Sequence, residues 1–184
     1  MRMFALSAAL LLLGGCASHA RFLWEEYTTE GIRAVRVGQY ERAEQFLTRA
    51  AQKAAELGPL EMGRSLNNLA ELYRRQGRAA EAERYFTEAL SMKESELGAD
   101  HPDVATSLNN LAQLYVAQGR DSEAAPLLER SLEIQGKALD AEHPVLGRTL
   151  TLLGEVYRHL GRAEDAFEVE VRKRLLREEP TPPK

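Results

Sequence analysis

The sequence predicts an all-α fold, an α-solenoid of about four helix-turn-helix units, and three observations carry that prediction. The string SLNNLAELYRRQGR at Ser65–Arg78 returns almost intact as SLNNLAQLYVAQGR at Ser107–Arg120, and more diverged as TLTLLGEVYRHLGR at Thr149–Arg162. Gly77, Gly119 and Gly161 stand 42 residues apart, each followed by arginine, and a more distant copy, GQYERAE at Gly38–Glu44, precedes them at an offset of 39. Within the copies, apolar residues recur at the spacing of one helix face. A unit that cannot bury its apolar face alone stacks on its neighbours, so the repeat reads as a solenoid. Such a fold offers an extended binding surface more readily than an enclosed catalytic pocket.

The N-terminus stands apart from the repeats. Met1–Ala20 places one positive charge, Arg2, ahead of the apolar run Phe4–Leu13. That run is shorter than the ~20 residues a helix needs to cross a bilayer, so the segment is expected to be a secretory leader. Leu13-Gly14-Gly15-Cys16 resembles the lipobox of bacterial lipoproteins. The resemblance implies cleavage after residue 15 and acylation of Cys16, the only cysteine in the chain. The bland alternative is a simple cleaved leader with an incidental cysteine. Several acyl chains anchor stably where one is marginal. Residues 16–21 then form a short tether of at most ~20 Å, which holds the repeats close to the membrane. Ala17, where aspartate would favour inner-membrane retention, implies the outer membrane facing the periplasm in a Gram-negative cell.

The units are expected at about 22–60, 61–100, 101–142 and 143–177. In the second, Leu66, Leu69, Ala70 and Tyr73 share one helix face, Gly77 ends the helix, and Ala82, Phe86, Ala89 and Leu90 mark a second helix. The third repeats this with Leu108, Leu111, Ala112 and Tyr115, then Ala124, Leu128 and Leu132. The fourth uses Leu150, Leu153, Gly154, Tyr157 and Ala166. Pro102 and Pro144 suit the first position of a helix. In the last helix Glu170 and Lys173 fall where core residues belong, so a polar outer cap is expected. Glu178–Lys184, EEPTPPK, is too polar to fold and is expected to be a disordered tail.

These residues resemble the tetratricopeptide repeat family in its 42-residue, kinesin-light-chain-like form. The match rests on Ala70, Tyr73, Gly77 and Ala82, on Ala112, Tyr115, Gly119 and Ala124, and on Gly154, Tyr157, Gly161 and Ala166. Asp100-His101-Pro102 and Glu142-His143-Pro144 match the linker signature. The first unit departs from it, with Ala34 at the tyrosine position and Gly58-Pro59 as its linker. The resemblance implies a right-handed solenoid whose first helices line a concave groove. It points to Arg64, Asn67, Asn68, Glu71, Arg74 and Arg75 in the second unit. In the third it points to Thr106, Asn109, Asn110, Gln113 and Val116, and in the fourth to Arg148, Thr151, Glu155, Arg158 and His159.

Asparagine is a poor interior helix former, so the adjacent pairs Asn67-Asn68 and Asn109-Asn110 need a reason. A carboxamide both donates and accepts, and so can pair with a peptide backbone of any sequence. The resemblance places Asn68 and Asn110 where family members contact bound peptide. The other reading has the pairs bonding to a neighbouring helix or to water. The clamp by which some members grip a C-terminal carboxylate is incomplete, because Thr28, Ile32 and Thr106 occupy clamp positions.

The remaining candidates favour structural readings. His101 and His143 recur once per repeat at helix starts, too far apart to share one metal ion at bonds of ~2 Å. Arg172-Lys173-Arg174 with Arg177 is interleaved with Glu168, Glu170, Glu178 and Glu179, and cations near a helix C-terminus complement its dipole. Phe22 and Trp24 either meet a membrane interface or cover the end of the first unit. The chain carries a net charge of −4, which argues against nucleic acid as partner. No phosphate-binding loop, zinc-protease motif or nucleophile elbow is present, so neither catalysis, a small-molecule substrate nor a cofactor is expected. The expected function is a membrane-anchored adaptor for an unidentified protein or peptide in a cell-envelope assembly. The alternative is a scaffold that self-associates through its solenoid surfaces.

Overall fold

A computed structural model describes residues 4–138 and 144–178, with side chains described for 18–138 and 145–176. Its helices are α1 Phe4–Arg36, α2 Tyr40–Leu57, α3 Pro59–Arg75, α4 Ala79–Leu97, α5 Pro102–Ala117, α6 Asp121–Ala138, α7 Pro144–His159 and α8 Ala163–Glu178. Among the described residues no strand occurs, and the expected all-α class is the observed one. The helices pair as hairpins in two compact units. The first runs up to Glu96 and carries α1–α4; the second starts at Leu97 and carries α5–α8. Glu142, His143 and residues 179–184 of the expected tail lie outside the described residues, as does the side chain of Cys16.

Three of the four hairpins turn on the same device. Gly77, Gly119 and Gly161 adopt φ of +75°, +70° and +71°, the left-handed conformation that spares glycine the Cβ clash. The amide of the following arginine then donates back to the tyrosine carbonyl five residues earlier, at 2.9 Å for Arg78–Tyr73, Arg120–Tyr115 and Arg162–Tyr157. The same arginine lays its guanidinium over that tyrosine's ring, 4.1, 4.0 and 4.2 Å from the centroid. It also binds the acid three residues on: Glu81, Glu123 and Asp165 respectively. The Gly-Arg dipeptide thus closes the first helix and starts the second.

In the first unit Trp24, Ala50 and Ala54 are buried together, with Tyr27, Leu57 and Met62 packed against them. Trp24 is part of this core, and its indole Nε1 donates to the Ser65 hydroxyl at 2.8 Å. Ser65 in turn donates to the Glu61 carbonyl at 2.9 Å. Phe22 is exposed. Helix α1 continues N-terminal of Phe22, where Ala20 is buried and Arg21 reaches Glu61 at 3.0 Å. In the second unit Leu128, Leu132, Leu146, Leu150, Leu153, Val156 and Tyr157 form the buried centre, joined by Ala166 and Val169 of α8.

A tyrosine clasp joins successive hairpins within each unit. Tyr73 donates its hydroxyl to Glu44 at 3.1 Å, and Tyr157 donates to Glu129 at 2.7 Å. Burial, reinforced by the neighbouring carboxylate, pushes both phenols up to about 12.

The outer face of α8 adds to the sequence expectation. Glu170 and Lys173 do occupy core-like positions in the pattern, and the charged residues Glu164, Glu168, Glu170, Arg172 and Arg174 are exposed, yet an apolar stripe runs among them. Phe167, Val171 and Leu175 are 73%, 40% and 55% exposed, and their spacing of four places them on one stripe. Ala166 and Val169 are the residues that α8 buries. Which face of α8 is covered depends on the neighbouring helix and is not local in sequence.

Candidate functional site

The residues expected to meet a partner lie on α3 in the first unit and on α5 and α7 in the second. On α3, Arg74 forms a fork on Glu71, with Nε at 2.7 Å and NH2 at 2.8 Å, and Arg75 Nε adds a bond at 2.6 Å. Burial raises the Glu71 carboxyl, but the two guanidinium groups outweigh it and hold the group below the usual carboxylate range. The outcome is a fixed cluster carrying one net positive charge. Arg64 is exposed on the same helix, while Asn67 and Asn68 are half-buried. Among the described residues Asn68 makes no side-chain hydrogen bond, so its carboxamide is available to a ligand.

On α5 the equivalent pair is Asn109-Asn110. Asn109 donates its Nδ2 to Thr149 Oγ1 on α7 at 2.8 Å, which ties together the first helices of adjacent hairpins. Its Oδ1 is buried and has no partner among the described residues. Asn109 therefore follows the structural one of the two readings open at the sequence level. Asn110 is half-buried, whereas Gln113 is exposed. Thr106 turns its hydroxyl back to the Pro102 carbonyl at 3.3 Å. On α7, Arg148 and Glu155 are exposed, and Thr151 bonds the Gly147 carbonyl. His159 stands with Nδ1 3.2 Å from Asp121 Oδ2 at the start of α6. His101 caps α5 by accepting the Asp103 amide on Nδ1 at 3.1 Å, the helix-starting role expected for it.

Sequence reasoning missed a second feature of this unit. A groove of about 520 Å³ opens between α6 and α8 above α7. Leu132, Leu150, Leu153, Tyr157 and Val169 are its apolar lining. Its rim carries Glu129, Glu133, Asp165 and Glu168 against Lys137 and Arg172. A glycine in the last turn of a helix was the available signal: Gly136 presents no side chain where the Arg172 guanidinium lies 3.5 Å from its Cβ position. An apolar floor inside a charged rim suits an apolar side chain of a protein partner. Among the described residues no group of three potential metal ligands occurs, and no helix is long and apolar enough to cross a membrane.

The pattern of the tetratricopeptide repeat family matches residues 31–95, 61–137 and 123–170. The chain belongs to the tetratricopeptide repeat family. Among solved structures it is similar to BtubC (BKLC) from P. vanneervenii, with a TM-score of 0.78 and 26% identity over 90% of this chain and 69% of that one. It is also similar to a putative kinesin light chain with nearly identical TPR-like repeats from Podosopora anserina, with a TM-score of 0.74 and 26% identity over 84% of this chain and 74% of that one. Aspartyl phosphate phosphatase F from Bacillus subtilis shares the fold alone, with a TM-score of 0.74 at 16% identity over 87% of this chain and 40% of that one. No curated protein sequence matches the chain. Tetratricopeptide repeats are in general non-catalytic scaffolds for protein–protein interaction, and the structural neighbours include a kinesin-light-chain-like repeat protein.

Proposed function

We propose that this tetratricopeptide protein is a membrane-anchored adaptor that holds a peptide or protein segment on the first-helix faces of its units, within an assembly of the cell envelope. The supporting observation is the set of unspent polar groups there. Asn68 on α3 makes no side-chain bond among the described residues, while Gln113 on α5 and Arg148 and Glu155 on α7 are exposed. Core residues of the same helices are buried beside them, so the backbone that carries these groups is rigid and needs no ordering on binding. Mixed Arg and Glu character favours an internal segment of a partner over a free carboxylate terminus.

The anchor rests on Leu13-Gly14-Gly15-Cys16 and the apolar run before it. Acylation at Cys16 would place the adaptor on a membrane, the outer membrane facing the periplasm if the cell is Gram-negative. Radiolabelled palmitate fed to expressing cells should label the chain and fail to label Cys16→Ser. Equal labelling of the two would remove the anchor from the proposal. For the surface, a photo-crosslinking residue at Gln113 or Glu155 should capture a discrete partner in intact cells, and one at Glu88 on α4 should not. Asn68→Ala with Asn110→Ala should reduce that capture at unchanged helicity. Capture from Glu88 alone would move the site off the first helices.

A further inference from the structure

We infer that the exposed stripe of α8 is a self-association surface, on which a second copy of this chain packs its own α8 antiparallel about a two-fold axis at Val171. The inference stands independently of the adaptor reading and starts from what α8 lacks. A second helix that receives another hairpin carries a carboxylate for the incoming tyrosine. In α2 it is Glu44, six residues after the turn Gly38; in α6 it is Glu129, ten residues after Gly119. The corresponding positions of α8, six and ten residues after Gly161, are Phe167 and Val171. Both carboxylate positions have become apolar, so this face is not built to receive one more hairpin of the same kind. Continued one turn further by Leu175, it is an apolar seam with no cover among the described residues.

Charge identifies the occupant. From Glu164 to Glu170 every charge on α8 is negative, and from Arg172 to Arg177 every charge is positive, with Val171 at the change of sign. A helix of this pattern repels a parallel copy and matches an antiparallel one. A two-fold at Val171 sets Phe167 against Leu175 of the second copy and Val171 against itself. It brings Glu168 alongside the second copy's Arg172 on one side of the seam, and Arg174 alongside its Glu170 on the other. The interface is isologous and closes at two chains, as two-fold symmetry requires. A single helix pair is at the small end of specific interfaces, so association at micromolar concentration is the expected strength.

The test uses the full chain with Cys16→Ser, kept soluble in a mild detergent. Light scattering at micromolar concentration should return twice the 20.6 kDa chain mass. Phe167→Glu with Leu175→Glu should return the single mass at unchanged helicity, since neither side chain is in the core. Under mild oxidation Val171→Cys should give a crosslinked dimer and the exposed control Val37→Cys should not. Reversing Glu168 and Glu170 to lysine should dissociate the dimer, and adding Arg172→Glu with Arg174→Glu should restore it. A monomeric parent, equal crosslinking at 171 and 37, or failure of the combined reversal to restore the dimer would each overturn the inference. Binding of a monomeric parent to anionic lipid vesicles, lost in Phe167→Glu, would assign the stripe to a membrane and also overturn it.

Discussion

Gly31 and Gly154 occupy the same position of the repeat, where the second and third units carry Ala70 and Ala112, yet alanine should have opposite effects at the two sites. At Gly31 an added Cβ would lie 2.5 Å from Leu47 Cδ2, 2.7 Å from its Cγ and 3.3 Å from its backbone nitrogen. Leu47 is fully buried in α2, so its Cγ cannot swing aside and the two helices must part. Overpacking of this kind costs ~1–3 kcal/mol, and alanine returns ~1 kcal/mol of helix propensity. The balance is a loss of about 1 kcal/mol, or roughly 2–4 °C in Tm for a chain of this size. At Gly154 the nearest atom is Val169 Cγ1 at 3.6 Å, an ordinary contact. Only the propensity gain remains there, so Gly154→Ala should raise Tm by roughly 2–4 °C. Thermal unfolding by far-UV circular dichroism, with urea unfolding as a second measure, compares them directly. If Gly31→Ala stabilised the chain as much as Gly154→Ala, the close approach of α1 to α2 would be wrong.

Three further outcomes follow from the described contacts. The phenols of Tyr73 and Tyr157 titrate near 12 in the folded chain and near 10 when unfolded, so the unfolded state gives up its protons first. Stability should be intact below pH 10 and fall as pH climbs towards 12, and Tyr73→Phe with Tyr157→Phe should flatten the Tm profile in that window. Trp24→Phe removes the buried donor to Ser65 and should lower unfolding free energy by ~1–3 kcal/mol in urea titration. Thr149→Val deprives Asn109 of its described partner on α7, and a loss of ~1–3 kcal/mol is expected, with faster amide exchange in α7 than in α3.

Much of the fold was readable because one constraint recurs. A turn glycine, the arginine after it and an aromatic five residues before that arginine are local in sequence, and each copy reports the same geometry. The helix boundaries within a few residues of the turns followed from this, as did the burial of Leu66, Leu69, Ala70 and Tyr73 and their counterparts. What escaped depended on partners distant in sequence. Asn109 reads like Asn110 until Thr149, forty residues on, takes its amide. For Trp24 the sequence offers both a membrane interface and cover for the end of the first unit, and only Ser65, which receives its indole, decides for the second. The groove above α7 depends on Gly136 of α6 and Arg172 of α8 together, and no periodic pattern links them. The apolar stripe of α8 was visible as letters, but which face of that helix lies uncovered is a property of packing.

The Gly-Arg turn also bears on how the chain folds. Its backbone bond, its ring stack and its ion pair all join residues within about ten positions of one another, so each closes a small loop, and short loops cost little entropy to form. A hairpin can therefore organise itself before it meets its neighbour, which favours rapid folding through local contacts. Damage at one turn should stay within its own hairpin and spread only as far as the adjoining tyrosine clasp. Evolution could then duplicate, lose or rewrite one hairpin at a time, as the unequal fates of Asn67-Asn68, Asn109-Asn110 and Thr151-Leu152 illustrate.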